Sequence, residues 1–454
     1  MPSLLIKNAL VLATMDDAGS EIAGGGMYIV DGFIEQVGNT ADLPGDADEV
    51  VDLSGHAVVP GLINTHHHLF QTLTRAVPGA QDAGLFGWLT KLYPIWSQLT
   101  PDHIRASTRT GLAELALSGC TTVADHLYLF PNGSRLDDEI EAAATIGLRL
   151  HASRGSMSRG ESAGGLPPDS VVEDPVSILE DTARVAAAFD DPDRGSMVRI
   201  VVAPCSPFSV SEELMAQSAN LARELGLHMH THLAETMDEE AYCVDVYGKR
   251  PLQMVSDLGW EGTDVWYAHS IFMSDHEIAA MGRSGTGVAH CPSSNMRLAS
   301  GIAPVRKYRQ AGVPVGIGVD GSASNDGNHM LGEARQAMLL ARLDAAPSLS
   351  GGDLLTARDA LRIATRGGAE VLGRADLGSL EPGKAADFVA VSMDRLEYAG
   401  AHHDPLAALL FAAPTRVDHV YVHGNAVVSN GELATADVDE IVQEHNRLAA
   451  ELSV

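Results

Sequence analysis

One alternation constrains this chain more than any other feature. Between residues 58 and 326, eight short apolar, β-branched runs end in polar residues, and stretches with helical spacing separate most of them. The runs are VVPGLINTHHH (58–68), TTVADH (121–126), LRLHASRG (148–155), VRIVVAPCS (198–206), LHMHTHLAE (227–235), VWYAHS (265–270), GTGVAHCPSSN (285–295) and VPVGIGVDGSASND (313–326). Intervening segments such as DHIRASTRTGLAELALSG (102–119) and SEELMAQSANLARELG (211–226) have 3.6-type apolar spacing. Eight such units predict an α/β fold, a parallel (β/α)8 TIM barrel. These barrels carry their chemistry at the C-terminal ends of the strands, and nearly every run here ends in His, Asp, Glu, Asn, Arg or Cys. The alternation therefore also predicts where the site lies.

Both ends of the chain read differently. The first 58 residues form short strand patterns, LLIKNALVLATM, GGMYIVDGFIEQVG and EVVDLSGHAVV, with Asp-Gly and Ser-Gly at the bends. The far end repeats the style in ADFVAVSM (386–393) and HVYVHGNAVVSNGEL (419–433), and 436–453 reads as a surface helix. Neither end is large enough to bury a core alone, so the two are expected to pair in a small composite β-sandwich. The expected organisation is a sandwich from 1–58 and 380–454, with the barrel at 59–379.

Composition narrows the partners. With 45% hydrophobic side chains the chain is not a disordered or collagen-like protein. Its 30 Lys plus Arg against 60 Asp plus Glu give a formal charge of −30. Such a surface repels nucleic-acid phosphates and anionic lipid, and no run of Lys or Arg is present to hold a strongly anionic substrate. A neutral small molecule and a metal cation suit it better. Cys120, Cys205, Cys243 and Cys291 form no C-x-x-C pair, which fits a reducing compartment. The N-terminus lacks a signal-peptide pattern and no window approaches about 18 uninterrupted apolar residues. A soluble cytoplasmic protein is the expectation.

The strand ends carry the chemistry. In Thr65-His66-His67-His68, residues two apart on a strand share a face, so His66 and His68 point one way and His67 the other. Alone, this triplet reads more simply as a solvated strand end. It is joined by His230, His232 and Glu235 after the fifth run, His269 after the sixth and Asp320 after the eighth. Nitrogen and carboxylate donors of this kind suit a borderline divalent ion, zinc foremost, with iron or manganese as alternatives. Such an ion makes a bound water acidic near neutral pH, and Glu235, three residues beyond His232, is placed to move protons.

The segments PGLINTHHH, HLAE, AHS and GVDGSASND resemble the signatures of the amidohydrolase superfamily, in its mononuclear aminohydrolase branch. The resemblance covers essentially the whole chain, including the split sandwich. It implies one divalent ion per chain held by His66, His68, His232 and Asp320. It further implies that Glu235 protonates a substrate ring nitrogen, that His269 lies beside the attacking water, and that Asp320 also accepts that water's proton. The fourth run contains no lysine, which argues against the binuclear branch with its carboxylated lysine. HHHLFQTLTRA, HASRGSMSRGESAGGLPPDSVV, APCSPFSVS and HCPSSNMRLASGIAP are most similar to 8-oxoguanine deaminases, and hydroxytriazine hydrolases and isoxanthopterin deaminases share several of them. The resemblance implies a small nucleobase-like substrate and a homo-oligomer.

A fused oxo-ring needs amide or guanidinium partners and an apolar slot, and Gln71 and Arg154 are the candidates for those partners. Gln71 also reads as a loop amide and Arg154 as an ion-pair partner. His126 and Cys205 read as packing behind the site, and Trp88, Tyr93 and Trp96 as core or a lid wall. Gly160-Glu161-Ser162-Ala163-Gly164 fits a nucleophile elbow but sits in loop composition, and Gly316–Gly321 fits G-x-G-x-x-G only at the end of a strand. His276-Glu277 lacks the second histidine of a metalloprotease motif, and His402-His403-Asp404 lies beyond the barrel runs. Two rivals remain: a triazine hydrolase using the same metal and water, and a metal-free barrel that only binds. The second predicts gaps in the ligand set, and there are none.

Overall fold

The computed structural model describes residues 2–345, 354–412 and 415–454. Eight parallel strands close into a barrel: Leu62–His67, Cys120–Leu127, Arg149–Ser156, Val198–Pro204, His228–Leu233, Val265–His269, Gly287–His290 and Val315–Ile317. Each overlaps one of the eight runs, neighbours pair in chain order, and the eighth closes on the first through Ile317 and Asn64. The expected TIM barrel is therefore the observed fold. Helices cover the outside, and their ends follow the local chemistry. Helix Glu212–Leu225 starts at Ser211, whose hydroxyl accepts the Leu214 N–H, and stops at Gly226 in the left-handed region.

The barrel interior is packed and not open. Ile63, Ala124, Val201, Trp266 and Ala289 meet inside it, and Val371 and Leu372 close the N-terminal end. The C-terminal end is left for the site.

The two ends of the chain build two facing sheets. One has four strands, in the order Phe33–Asn39, Gly25–Val30, Ser3–Ala9, Glu49–Asp52. The other has seven and mixes both termini: His56–Pro60 lies between Phe388–Ser392 and Val11–Ala13. Leu4, Ile6, Met27, Ile34, Val58 and Phe388 fill the space between the sheets. Two expected single runs are divided. LLIKNALVLATM breaks into Ser3–Ala9 and Val11–Ala13, which enter different sheets. The 58–68 run breaks at Gly61, with His56–Pro60 in the sandwich and Leu62–His67 in the barrel. A Cβ at Gly61 would lie 2.1 Å from Thr121 Oγ1, so glycine lets the chain pass the second barrel strand.

Arg149, fully buried at the base of the third barrel strand, joins the two units. Its Nε and Nη2 donate to Asp387 Oδ2 and Oδ1 at 2.7 and 2.9 Å. The C-terminal helix Val438–Ala449 buries Ile441, His445 and Leu448, so only one face is surface. His445 Nε2 donates to the Thr72 carbonyl at 3.1 Å, directly behind the segment that follows His68. Among the described residues, no helix is long and apolar enough to cross a membrane.

Candidate active site and metal centre

Three imidazoles are presented with bare Nε2 atoms, and hydrogen bonds dictate this in each case. His230 Nδ1 donates to the Trp266 carbonyl at 3.0 Å, so His230 Nε2 must accept. It accepts from His66 Nδ1 at 2.8 Å, which leaves His66 Nε2 as a lone pair. His68 Nδ1 donates to the His126 carbonyl and His232 Nδ1 to the Cys205 carbonyl, both at 2.7 Å. Burial holds all three imidazoles below the usual histidine range, favouring the neutral form that binds metals. Asp320 is the opposite case. Burial alone would raise its carboxyl, but the surrounding imidazoles of His66, His269 and His68 hold it well below the usual range.

These donors converge. His66 Nε2 and His68 Nε2 lie 3.2 and 3.4 Å from Asp320 Oδ1, and His68 Nε2 lies 3.1 Å from His232 Nε2. Tetrahedral zinc with bonds near 2.0–2.1 Å requires ligand separations of about 3.3–3.4 Å. His66 Nε2 is moreover buried with no hydrogen-bond partner, and two bare imidazole lone pairs at 3.1 Å repel unless a cation lies between them. The donor set fits a divalent ion of this size and ligand preference. His67 faces the other way, as strand parity requires, with Nε2 3.0 Å from Asn328 Oδ1.

The proton-handling groups sit beside the donors. Glu235 Oε2 lies 3.5 Å from His269 Nε2, which is 3.9 Å from Asp320 Oδ2. His269 Nδ1 donates to Asn295 Oδ1 at 2.9 Å, turning Nε2 toward both carboxylates. Burial pushes the Glu235 carboxyl up. Burial works against His269 charging, yet the Glu235 and Asp320 charges and the Asn295 bond outweigh it and raise its pKa. Asp320 Oδ2 accepts from Ser294 Oγ at 2.6 Å and Ser324 Oγ at 3.2 Å, and Ser300 Oγ donates to Glu235 Oε1 at 3.3 Å. Ala234, His269, Ser270 and Asp320 all have left-handed φ, between 48° and 67°. Non-glycine residues adopt that region rarely, and here they gather at the ends of strands five, six and eight, where side chains must be re-aimed. The supporting Ser294, Asn295, Ser300 and Ser324, and the orienting role of His230, are not visible in the sequence pattern.

A cavity opens above these groups. Leu85, Trp88, Leu89 and Tyr93 of helix Leu85–Trp96 form one wall, with Phe208 and Leu298 also lining it. Gln71, Tyr128, Cys205 and Ser206 add polar groups, and no Lys or Arg among the described residues lines it. Trp96 instead packs in the core, edge to face with Phe70. Gln71 is held where Ala323 N–H meets its Oε1 at 3.4 Å, and a Cβ at Gly321 would fall 1.9 Å from that oxygen. His126 acts through its carbonyl, its ring donating to the Ala203 carbonyl at 2.8 Å.

Arg154 is placed elsewhere than expected. Ser153 pairs with His126, so Ser153 shares the inward face and Arg154 points out of the barrel. Its guanidinium binds Asp181 Oδ2 and Glu173 Oε1, both at 2.7 Å, stacks over Phe130 and does not line the cavity. The discounted motifs are structural too. Glu161–Ala163 is one 3-10 turn separated from the preceding strand Arg149–Ser156 by four residues, and Gly318 lets Cys291 Sγ and the His66 Cβ approach within 2.8 Å of where its own Cβ would be. Asp404 caps helix Pro405–Phe411 and pairs with Arg358.

The amidohydrolase family profile matches residues 57–427. The chain belongs to the amidohydrolase family. An 8-oxoguanine deaminase from Pseudomonas aeruginosa is 45% identical to this amidohydrolase over 450 residues, covering 98% of each chain. An isoxanthopterin deaminase from an unknown prokaryotic organism is 36% identical, covering 99% of this chain and 97% of its own. The crystal structure of an atrazine chlorohydrolase from Arthrobacter aurescens, complexed with zinc, superposes with a TM-score of 0.93 at 34% identity, covering 98% of this chain and 100% of its own. Family and deaminase relatives together make this amidohydrolase a hydrolase of carbon–nitrogen bonds.

Proposed function

We propose that this amidohydrolase deaminates a free oxidised purine base, converting 8-oxoguanine and water to urate and ammonia. In this reading His66, His68, His232 and Asp320 hold one divalent ion, zinc in preference to iron. The observation that carries it is the set of bare donors beside Glu235 and His269, at the floor of a cavity that no Lys or Arg among the described residues lines. Bound there, the ion supplies the Lewis acidity that makes water a nucleophile near neutral pH.

The chain's own residues supply the rest. Asp320 Oδ2, fixed by Ser294 and Ser324, takes the proton of the attacking water. His269 Nε2 holds the oxygen as it adds to the amine-bearing carbon. Glu235, whose carboxyl is pushed up by burial, gives a proton to the adjacent ring nitrogen. As the tetrahedral carbon collapses, Asp320 passes its proton to the amine, which leaves as ammonia, and the hydroxyl proton returns to Glu235 as the carbonyl forms. The uncharged walls suit a neutral ring, Trp88 and Tyr93 offer flat faces, and the Gln71 carboxamide offers a donor and an acceptor to a ring amide. The 45% identity with an 8-oxoguanine deaminase over nearly the full length supports this ring over the others. The likeness to an atrazine chlorohydrolase supports a second reading, with a triazine in the same slot.

An ammonia-release panel of 8-oxoguanine, guanine, isoxanthopterin, cytosine and hydroxytriazines tests the choice. Ammonia and urate from 8-oxoguanine, well above the other rings, are expected. No ammonia from any of them refutes the deaminase reading.

A further inference from the structure

Among the described residues, three helices begin with a hydroxyl residue followed three positions later by an acidic one, the signature of a capping box. At two of them the acid does what the signature predicts and returns to the N-cap backbone. Glu277 Oε2 accepts Ser274 N–H at 2.7 Å, and Asp359 Oδ2 accepts Thr356 N–H at 2.9 Å. At the third, Thr236 caps normally, its Oγ1 accepting Glu239 N–H at 3.3 Å. Glu239 does not reciprocate. Its Oε1 accepts Ala234 N–H at 2.8 Å and its Oε2 accepts Glu235 N–H at 3.0 Å, further back along the chain.

Those two amides belong to the turn that leaves the fifth barrel strand, where Ala234 sits at φ 53°. The left-handed turn rotates the chain after His232, so that the next side chain, Glu235, faces His269 and Ser300 in the cavity. The Ala234 carbonyl is held as well, by the N–H groups of Ile271 and Phe272 at 2.9 and 3.0 Å. Glu239 itself is only 1% exposed, and no Lys, Arg or His among the described residues bridges it. A buried carboxylate without a cation is unfavourable as a mere helix cap, since an exposed glutamate would do that work without desolvation. Two parallel N–H bonds from a strained turn give it a geometric role.

We propose that Glu239 is a positioning residue, whose buried carboxylate is diverted from its helix cap to fix the turn that aims Glu235 into the cavity. This rests on the reading of Glu235 as the proton donor. Glutamine at 239 keeps one acceptor and sets an NH2 group against the other N–H, whereas aspartate retains both acceptors on a shorter arm.

The test compares Glu239→Gln, Glu239→Asp and Asp359→Asn, the last removing an ordinary capping acid far from the cavity. Glu239→Gln is expected to lower kcat at least about tenfold with KM and bound metal little changed, and Glu239→Asp to recover part of that loss. Asp359→Asn is expected to lower thermal stability and leave kcat unchanged. The crystal structure of Glu239→Gln is expected to show Glu235 Oε2 withdrawn from His269 Nε2 with the fifth strand in place. That structural readout judges Glu239 even if the wild type releases no ammonia from any ring, an outcome that would overturn the functional reading alone. An unmoved Glu235 side chain with kcat within about twofold, or parallel loss of metal and kcat, overturns the proposal and makes Glu239 an ordinary structural acid.

Discussion

Replacing His230 with alanine tests how the metal site is tuned. His230 touches no metal in this account; it takes the Nδ1 proton of His66 at 2.8 Å while its own Nδ1–H is tied to the Trp266 carbonyl. Without that ring, His66 keeps a buried N–H with no acceptor, a cost of about 1–3 kcal/mol. Its proton is then free to move to Nε2, where the ion would bind. Loss of such an orienting partner lowers metal affinity about 10- to 100-fold, or about 1.4–2.8 kcal/mol, in agreement with the hydrogen-bond figure. His126 is the control. Its ring lies 5.5 Å from that of His68 and stacks on that of His232 at 5.0 Å, but its hydrogen bond to a ligand runs through its carbonyl, which alanine retains. His126→Ala is therefore expected to change zinc affinity by less than about threefold. Competition with a chromophoric chelator on metal-depleted protein gives both affinities, with circular dichroism to verify folding. Equal losses in the two variants, or none in His230→Ala, would refute the claim that the hydrogen-bond relay, and not packing, tunes His66.

Other consequences are as concrete. Arg149→Met leaves Asp387 buried without a counter-charge and is expected to cost about 3–5 kcal/mol in urea unfolding, while Arg149→Met with Asp387→Leu recovers most of it. Arg154→Met is expected to lower stability through loss of Glu173 and Asp181 and leave KM within about twofold; a large rise in KM would contradict its outward placement. Burial pushes Asp125 up to about 7, and burial with the neighbouring Asp125 charge pushes Glu139 up as well. Carboxyls whose folded pKa exceeds the unfolded value hold extra protons when folded, so stability is full in acid and declines as pH rises from about 4 toward 7. Glu139→Gln is expected to flatten that decline, and an unchanged slope between pH 5 and 8 would refute it.

Much of the fold is legible because its demands are repetitive. Every barrel strand must be apolar along its length and polar where it reaches the mouth, so VWYAHS or TTVADH announces both a strand and its active end. The His66 and His68 donors are legible for the same reason, since period two puts them on one face. What fails to show is anything that depends on pairing between strands. Arg154 ends its run as a ligand-binding residue would, and only the register of Ser153 against His126 reveals that it faces outward. The break at Gly61 is hidden because the residues on both sides are equally buried and apolar. Asn295 and Ser294 act from a short helix after the seventh strand, and Glu239 looks like a helix cap until its carboxylate is seen to accept the amides of Ala234 and Glu235 instead of Thr236.

Hydrolytic removal of an amine at this site is tested by turnover of 8-oxoguanine in ¹⁸O-labelled water by the zinc-loaded protein. One ammonia for each urate formed and one ¹⁸O in each urate, at the carbon that carried the amine, are expected. Urate without the label, or no ammonia at all, would contradict it.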